Sequence, residues 1–220
     1  MNVIFIAPPA AGKGTQAEML SKDYNLYHLS TGDLLREVAL SDTKLGKSVK
    51  ELIDNGNFVS DELMFKLLKE KIDSLDNVNG IIFDGVPRTV MQAKMLDELL
   101  SSIGKKVDYV IYLDVEKEVA MKRATGRVTC PNCNKIYNIY FDKFDEENKC
   151  NNCKSMLSKR LDDTEEKFNH RFDTYILKTK PVIDYYNSLG MLKVIENIGT
   201  KYDIYENIKS VIDEGSLWLT

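Results

Sequence analysis

An apolar run, Val3-Ile4-Phe5-Ile6, passes directly into Ala7-Pro8-Pro9-Ala10-Ala11-Gly12-Lys13-Gly14-Thr15 and then into the helical run Gln16 to Leu20. This order of strand, small-residue turn, Gly-Lys and helix sets a helix N-terminus at the end of a strand. Small side chains let successive backbone N–H groups converge on phosphate oxygens, the helix adds the positive end of its dipole, and the Lys13 ammonium supplies a point charge. An ordinary strand-to-helix turn has no need of Gly-Lys-Gly-Thr. The segment departs from the usual spacing of Gly, four residues, Gly-Lys and Ser or Thr. Ala7 stands where the first Gly belongs, and Gly14 stands where the hydroxyl belongs, which Thr15 one residue later could supply. If position 7 or 10 needs left-handed backbone angles, Ala costs about 1–2 kcal/mol there. Weaker phosphate affinity, not loss of function, is the expected result.

The rest of the chain repeats the alternation. Strand-length apolar runs recur at Val3–Ile6, Leu26–Leu29, Ile81–Phe83, Val107–Leu113 and Leu192–Ile195, separated by helical pattern. Asp61 to Ile72 places Leu63, Leu67, Leu68 and Ile72 at helical spacing, and Thr89 to Ile103 does the same with Val90, Ala93, Leu96 and Leu100. Continuous rather than alternating strands suit a parallel sheet covered on both faces, so an α/β fold is expected. At about 150 residues per domain, 220 residues suggest between one and two domains. Two stretches interrupt the rhythm and are read as insertions, helical residues 30–59 and cysteine-bearing residues 126–162. The core is then 1–29, 60–125 and 163–220. The alternating run Ile136-Tyr137-Asn138-Ile139-Tyr140-Phe141 predicts a strand in a small antiparallel unit.

Composition narrows the partners. With 30 basic and 34 acidic residues the net charge is −4, which argues against bulk nucleic-acid binding, so an anionic ligand must meet a local cluster. The longest apolar runs, such as Tyr109 to Leu113, fall far short of the roughly 20 residues of a membrane span. Val3–Ile6 is too short, and lacks a preceding Lys or Arg, to read as a secretory signal. The cytoplasm is therefore the expected compartment, where cysteines stay reduced and bind metals or do chemistry.

Cys130-Pro131-Asn132-Cys133, sixteen residues, then Cys150-Asn151-Asn152-Cys153 is a strong metal signature. Two tight turns offer four thiolates in a tetrahedron and leave no open position, so the site is read as structural, with zinc preferred over iron. A unit this small needs the folding free energy that a metal supplies. Disulfide pairing is the alternative, disfavoured by the compartment.

Further motifs follow in order: Ser30-Thr31-Gly32-Asp33-Leu34-Leu35-Arg36, Asp84-Gly85-Val86-Pro87-Arg88-Thr89 with Gln92, Arg127, and Arg160-Leu161-Asp162-Asp163 through Arg171. Together with Gly12-Lys13-Gly14-Thr15 they resemble the adenylate kinase family of nucleoside monophosphate kinases, and the cysteine insertion resembles its long-lid, zinc-bearing branch. The resemblance implies a P-loop NTPase-like parallel five-stranded sheet flanked by helices, with a helical acceptor-binding insertion and a small zinc-bearing lid. It implies reversible phosphoryl transfer from MgATP to AMP, giving two ADP, by a monomer. Such a transfer gathers about six negative charges and asks mainly for positioning and cationic stabilisation, work for which Arg forks are suited.

By the same resemblance, Lys13, Arg36, Arg88, Arg127, Arg160, Arg171 and Asp84 carry catalysis. Arg36 and Arg88 would hold the acceptor phosphate, and Asp84 would order magnesium through water. Arg127, Arg160 and Arg171 would clamp the transferring group on closure, the last two also reaching the acceptor. ATP would meet Ala10, Ala11, Gly12, Lys13, Gly14 and Thr15, with Arg123 stacked on its adenine and Ile136, Tyr137 and Gly199 beside it. AMP would meet Thr31, Asn57, Phe58, Val59, Gly85, Val86, Pro87 and Gln92. The family usually has Phe where Val86 stands. Ser30 or Thr31 can equally cap a helix, and Thr89 to Gln92 reads as a capping box. His28 and His170 are expected in packing and surface roles. Two alternatives remain: another donor such as GTP, or a nucleotide-binding zinc protein without turnover.

Overall fold

The computed structural model describes residues 1–55, 57, 59–160 and 163–216. In chain order its elements are β1 (Asn2–Ile6), α1 (Lys13–Tyr24), β2 (Tyr27–Ser30), α2 (Thr31–Ala39), α3 (Lys44–Asp54), α4 (Asp61–Asp73), β3 (Ile81–Asp84) and α5 (Val90–Ser102). There follow β4 (Tyr109–Asp114), α6 (Lys117–Thr125), β5 (Arg127–Thr129), β6 (Ile136–Asn138), α7 (Glu165–Thr174), a π-helical turn (Tyr175–Thr179), α8 (Lys180–Ser188), β7 (Leu192–Glu196) and α9 (Lys201–Ser216). Five strands form one sheet in the order β2-β3-β1-β4-β7, every pair parallel. The expected architecture is present, and each expected strand lies within two residues of the observed one.

The central strand β1 is buried along its whole length because both sheet faces are covered. Its side chains alternate between two cores. Ile4 and Ile6 join Phe83, Leu68, Leu96, Leu100, Val182 and Tyr186 on the face of α4, α5 and α8. Val3 and Phe5 join Ile82, Ile111, Leu20, Ile208 and Ile212 on the face of α1 and α9. A third, smaller cluster, Ala120, Ala124 and Phe168, packs α6 against α7.

From β1 the chain crosses β3 to reach β2, whereas from β3 it crosses β1 to reach β4. The carboxyl ends of β1 and β3 therefore flank a point where the connections diverge, the place where open parallel sheets bind ligands. Phe5 and Asp84 are register partners there.

The small antiparallel unit is shorter than expected. β6 pairs with β5 only over Ile136–Asn138. The chain then turns, because the Asn138 side-chain oxygen accepts the Tyr140 N–H and the Asn138 carbonyl accepts the Asp142 N–H, each 2.9 Å away. Ile139, Tyr140 and Phe141 are left exposed. Among the described residues, no helix is long and apolar enough to cross a membrane.

Candidate active site

The turn between β1 and α1 leaves polar groups open. Gly12 caps α1 at φ +90°, a conformation open to glycine, and makes no side-chain cap bond to the first turn. In contrast, Ser30, Thr43, Ser60, Thr89 and Thr164 cap α2, α3, α4, α5 and α7 through their hydroxyls. Gln16 N–H closes the first helical bond onto the Gly12 carbonyl. The N–H groups of Lys13, Gly14 and Thr15 precede that bond, Gly14 and Thr15 are exposed, and no acidic side chain stands in the first turn. Lys13 folds back over the loop, its Nζ donating to the Ala7 carbonyl at 3.3 Å. The expectation for the two alanines divides. Ala10 adopts φ +60°, whereas Ala7 has no positive φ, so a glycine at position 7 would relieve nothing.

Asp84, at the end of β3, lies opposite this turn; a Cβ on Gly14 would come 3.7 Å from its Oδ2. His28 Nε2 lies 3.2 Å from the same oxygen. This corrects the packing role expected of His28, because β2 and β3 are neighbours and both side chains reach the same sheet edge. Burial works against the Asp84 charge, but the His28 bond, Lys13 and Arg88 outweigh it and hold the carboxyl below its ordinary value. Burial pushes Lys13 down; Asp84 opposes that, and Arg88, Arg171 and Arg127 reinforce it. Burial likewise lowers Arg88, with Asp84 opposing and Arg171 adding. Lys13, Arg88, Arg127 and Arg171 thus share one electrostatic neighbourhood.

Arg127, on β5, grips Asp163 with both Nε and Nη2, and Arg171 of α7 lies 3.7 Å from the same carboxylate. The Asp163 side chain is only 1% exposed, so a buried anion balances these two guanidinium groups. Its N–H donates to the Arg160 carbonyl. Arg123 donates to the Ala11 carbonyl and to Asn197. Ile136 is exposed, and the Tyr137 hydroxyl is turned toward Cys150 Sγ, 3.2 Å away. Gly199 stands before α9 at φ +97°.

Beyond Asp84 a small pocket is lined by Leu35, Asn57, Val59, Met64, Gly85, Arg88 and Gln92. Gly85 is required there. Its φ is +92°, and a Cβ would stand 2.3 Å from Thr31 Oγ1. Thr31 is fully buried and donates to the Asp84 carbonyl. Arg88 Nε donates to the Gly85 carbonyl at 2.7 Å, and Val86 and Pro87 are buried beneath. Gln92 acts in the capping reading as well, its N–H donating to Thr89 Oγ1, its Oε1 accepting the Arg88 N–H and its Nε2 donating to Asp61. Arg36 pairs with Asp33 and is 48% exposed. Phe58 lies outside the described residues.

The four cysteines converge. Their sulfur atoms all lie within 4.8 Å of one another, with Cys130–Cys153 at 3.3 Å and Cys133–Cys150 at 3.5 Å, and none is disulfide-bonded. Zinc–sulfur bonds of about 2.3 Å in a tetrahedron separate sulfurs by about 3.8 Å, so the donor set fits. The two Cys-x-x-Cys turns are built alike. Cys130 N–H donates to the Lys135 carbonyl and Cys150 N–H to the Ser155 carbonyl, with Asn134 and Lys154 at φ +57° and +60°.

The family model described as adenylate kinase matches residues 5–191. The chain belongs to the adenylate kinase family. Among its relatives, an adenylate kinase of Archaeoglobus fulgidus is 41% identical over 214 residues, covering 97% of this chain and 99% of the relative. One of Desulforamulus reducens is 45% identical over 195 residues, 89% and 92% of the two chains. One of Thermosipho africanus is 42% identical over 213 residues, 97% and 98%.

Within this adenylate kinase family member, sequence reasoning missed Leu35 and Met64 as pocket walls, His28 as the hydrogen-bond partner of Asp84, Asp163 as the charge partner of Arg127 and Arg171, and Asn197 altogether. Leu35 adjoins Arg36 within a quoted motif, and Asp163 was part of another. No local pattern marks His28 or Asn197, whose partners are 56 and 186 residues away.

Proposed function

We propose that the protein catalyses reversible transfer of a phosphoryl group from MgATP to AMP, giving two ADP. One observation carries this reading: Arg88 belongs both to the cation group around Lys13 and to the wall of the small pocket. A monophosphate in that pocket would present its phosphate at Arg88, facing a triphosphate held on the uncapped N-terminus of α1. Arg36 joins Arg88 at the acceptor phosphate, while Lys13, Arg127 and Arg171 offset charge on the transferring group, with Arg160 joining them on closure. Asp84 is suited to hold, through water, the magnesium that would arrive with ATP, and that ion would supply neutralisation of phosphate charge. Residues 30–59 and 126–162 are proposed to move over the core and exclude water, the latter held together by zinc at Cys130, Cys133, Cys150 and Cys153. Four unoxidised thiols suit the cytoplasm.

The test is ADP formation by purified protein given ATP, AMP and magnesium. Turnover is expected with ATP above GTP in a donor panel, and Lys13→Ala is expected to abolish it while circular dichroism stays unchanged. Folded wild-type protein that forms no ADP ends the proposal.

A further inference from the structure

Asn197, immediately after β7, is 5% exposed, and its N–H donates to the Asp114 carbonyl at the end of β4, 2.8 Å away. It therefore sits at the carboxyl edge of the sheet, on the side of the phosphate turn. Both ends of its side-chain amide are used. Nδ2 donates to the Ala11 carbonyl at 2.5 Å, and Oδ1 accepts from Arg123 Nη1 at 2.9 Å. Arg123 Nη1 also reaches the Ala11 carbonyl at 3.3 Å, closing a triangle of loop carbonyl, amide and guanidinium. The amide orientation is fixed by its neighbours, because a carbonyl can only accept and a guanidinium can only donate.

The peptide held in this way is the one that precedes Lys13 by a single residue. Across a trans peptide the N–H points opposite to the C=O, so fixing the Ala11 carbonyl toward Asn197 turns the Gly12 N–H to the other side. The same amide fixes the head of Arg123. We infer that Asn197 is a positioning residue for the donor triphosphate, setting the Ala11–Gly12 peptide and the Arg123 guanidinium in register before the nucleotide arrives. This rests on the reading that the turn and Arg123 bind the donor. The position requires an amide in particular. A carboxylate would still accept from Arg123 but would set a second acceptor against the Ala11 carbonyl, and an apolar side chain would leave both partners without Asn197.

Calorimetric binding of ATP alone and AMP alone, with wild type, Asn197→Ala and Asn197→Asp, tests this. Donor affinity is expected to fall about ten-fold or more in both variants, the scale of one lost hydrogen bond to a charged group. AMP affinity is expected to stay within about two-fold, since the triangle is made by Ala11, Asn197 and Arg123, none of which lines the pocket. Unchanged donor affinity in the folded variants, or equal loss for ATP and AMP, overturns the inference. Should Asn197→Asp fail to fold, Asn197→Ser is measured against the same limits. Turnover of wild type is recorded alongside. Wild type without turnover removes the functional reading, whereas active wild type with unaltered donor binding in the variants removes only the role of Asn197.

Discussion

Ala10 holds φ +60° with a side chain that disfavours it by about 1–2 kcal/mol. Its methyl group packs against the Ala120, Ala124 and Phe168 cluster, which returns up to about 0.8 kcal/mol. The first contribution wins narrowly, so Ala10→Gly is expected to stabilise the protein by less than about 1 kcal/mol. Ala7→Gly should act in the opposite direction, losing about 0.5–1 kcal/mol, because Ala7 is buried in ordinary backbone and glycine only widens the unfolded ensemble. Denaturant melts of the two variants check this, and equal signs would refute it. The sequence could not separate these positions. A spacing pattern marks where glycine is customary, whereas the need for glycine is set by a dihedral angle. His28 shows the same gap, since its role depends on strand adjacency that no local pattern carries. Lys13 differs in that Gly-Lys between a strand and a helix is itself the local signal.

At the scale of elements, legibility followed burial. The sheet strands read clearly because coverage of both faces makes them continuous apolar runs, and α4 and α5 because one face of each packs on that sheet. β6 read less well. Ile136 to Phe141 is rich in β-branched and aromatic residues as a strand should be, but Asn138 diverts the backbone into a turn, and side-chain hydrogen bonding of that kind leaves no trace in hydropathy. The pairing of α6 with α7 was also invisible, although it places Arg171, which is proposed to act in the transfer. α7 carries Arg171, and it rests on α6 through Phe168 against Ala120 and Ala124, all fully buried. A larger residue at 124 has nowhere to go except against α7. Ala124→Leu is expected to cost about 1–3 kcal/mol by overpacking and to lower kcat by displacing Arg171. AMP affinity should change less than kcat, since the pocket proposed to take AMP is lined from other elements. Stopped-assay kinetics with an AMP titration decide it, and an unchanged kcat in the destabilised variant would detach α7 from catalysis.

The whole molecule divides its stability unevenly, which makes metal removal informative. Among the described residues, none of the three apolar clusters contains one between 126 and 160. In that stretch Val128, Cys130 and Cys150 are buried hydrophobics, while Ile136, Ile139, Tyr140, Phe141 and Met156 are exposed. What closes the unit is the four-cysteine cluster, with Tyr137 and its ring neighbour Phe144 beside it. A metal bound there would supply most of the folding free energy of the stretch and almost none of that of the sheet. Arg127 sits on β5, three residues before Cys130, so loss of the unit also loosens one cation of the site. Chelation of zinc-loaded protein is therefore expected to open amide exchange across 127–158 while β1, β3 and β4 stay protected. The same treatment should depress turnover strongly and leave AMP binding within about two-fold. Hydrogen-exchange mass spectrometry with a parallel AMP titration measures both at once. Collapse of protection in β1 and β4 together with the cysteine unit would show a single cooperative fold in which the metal supports the sheet as well, contrary to the separation argued from the clusters.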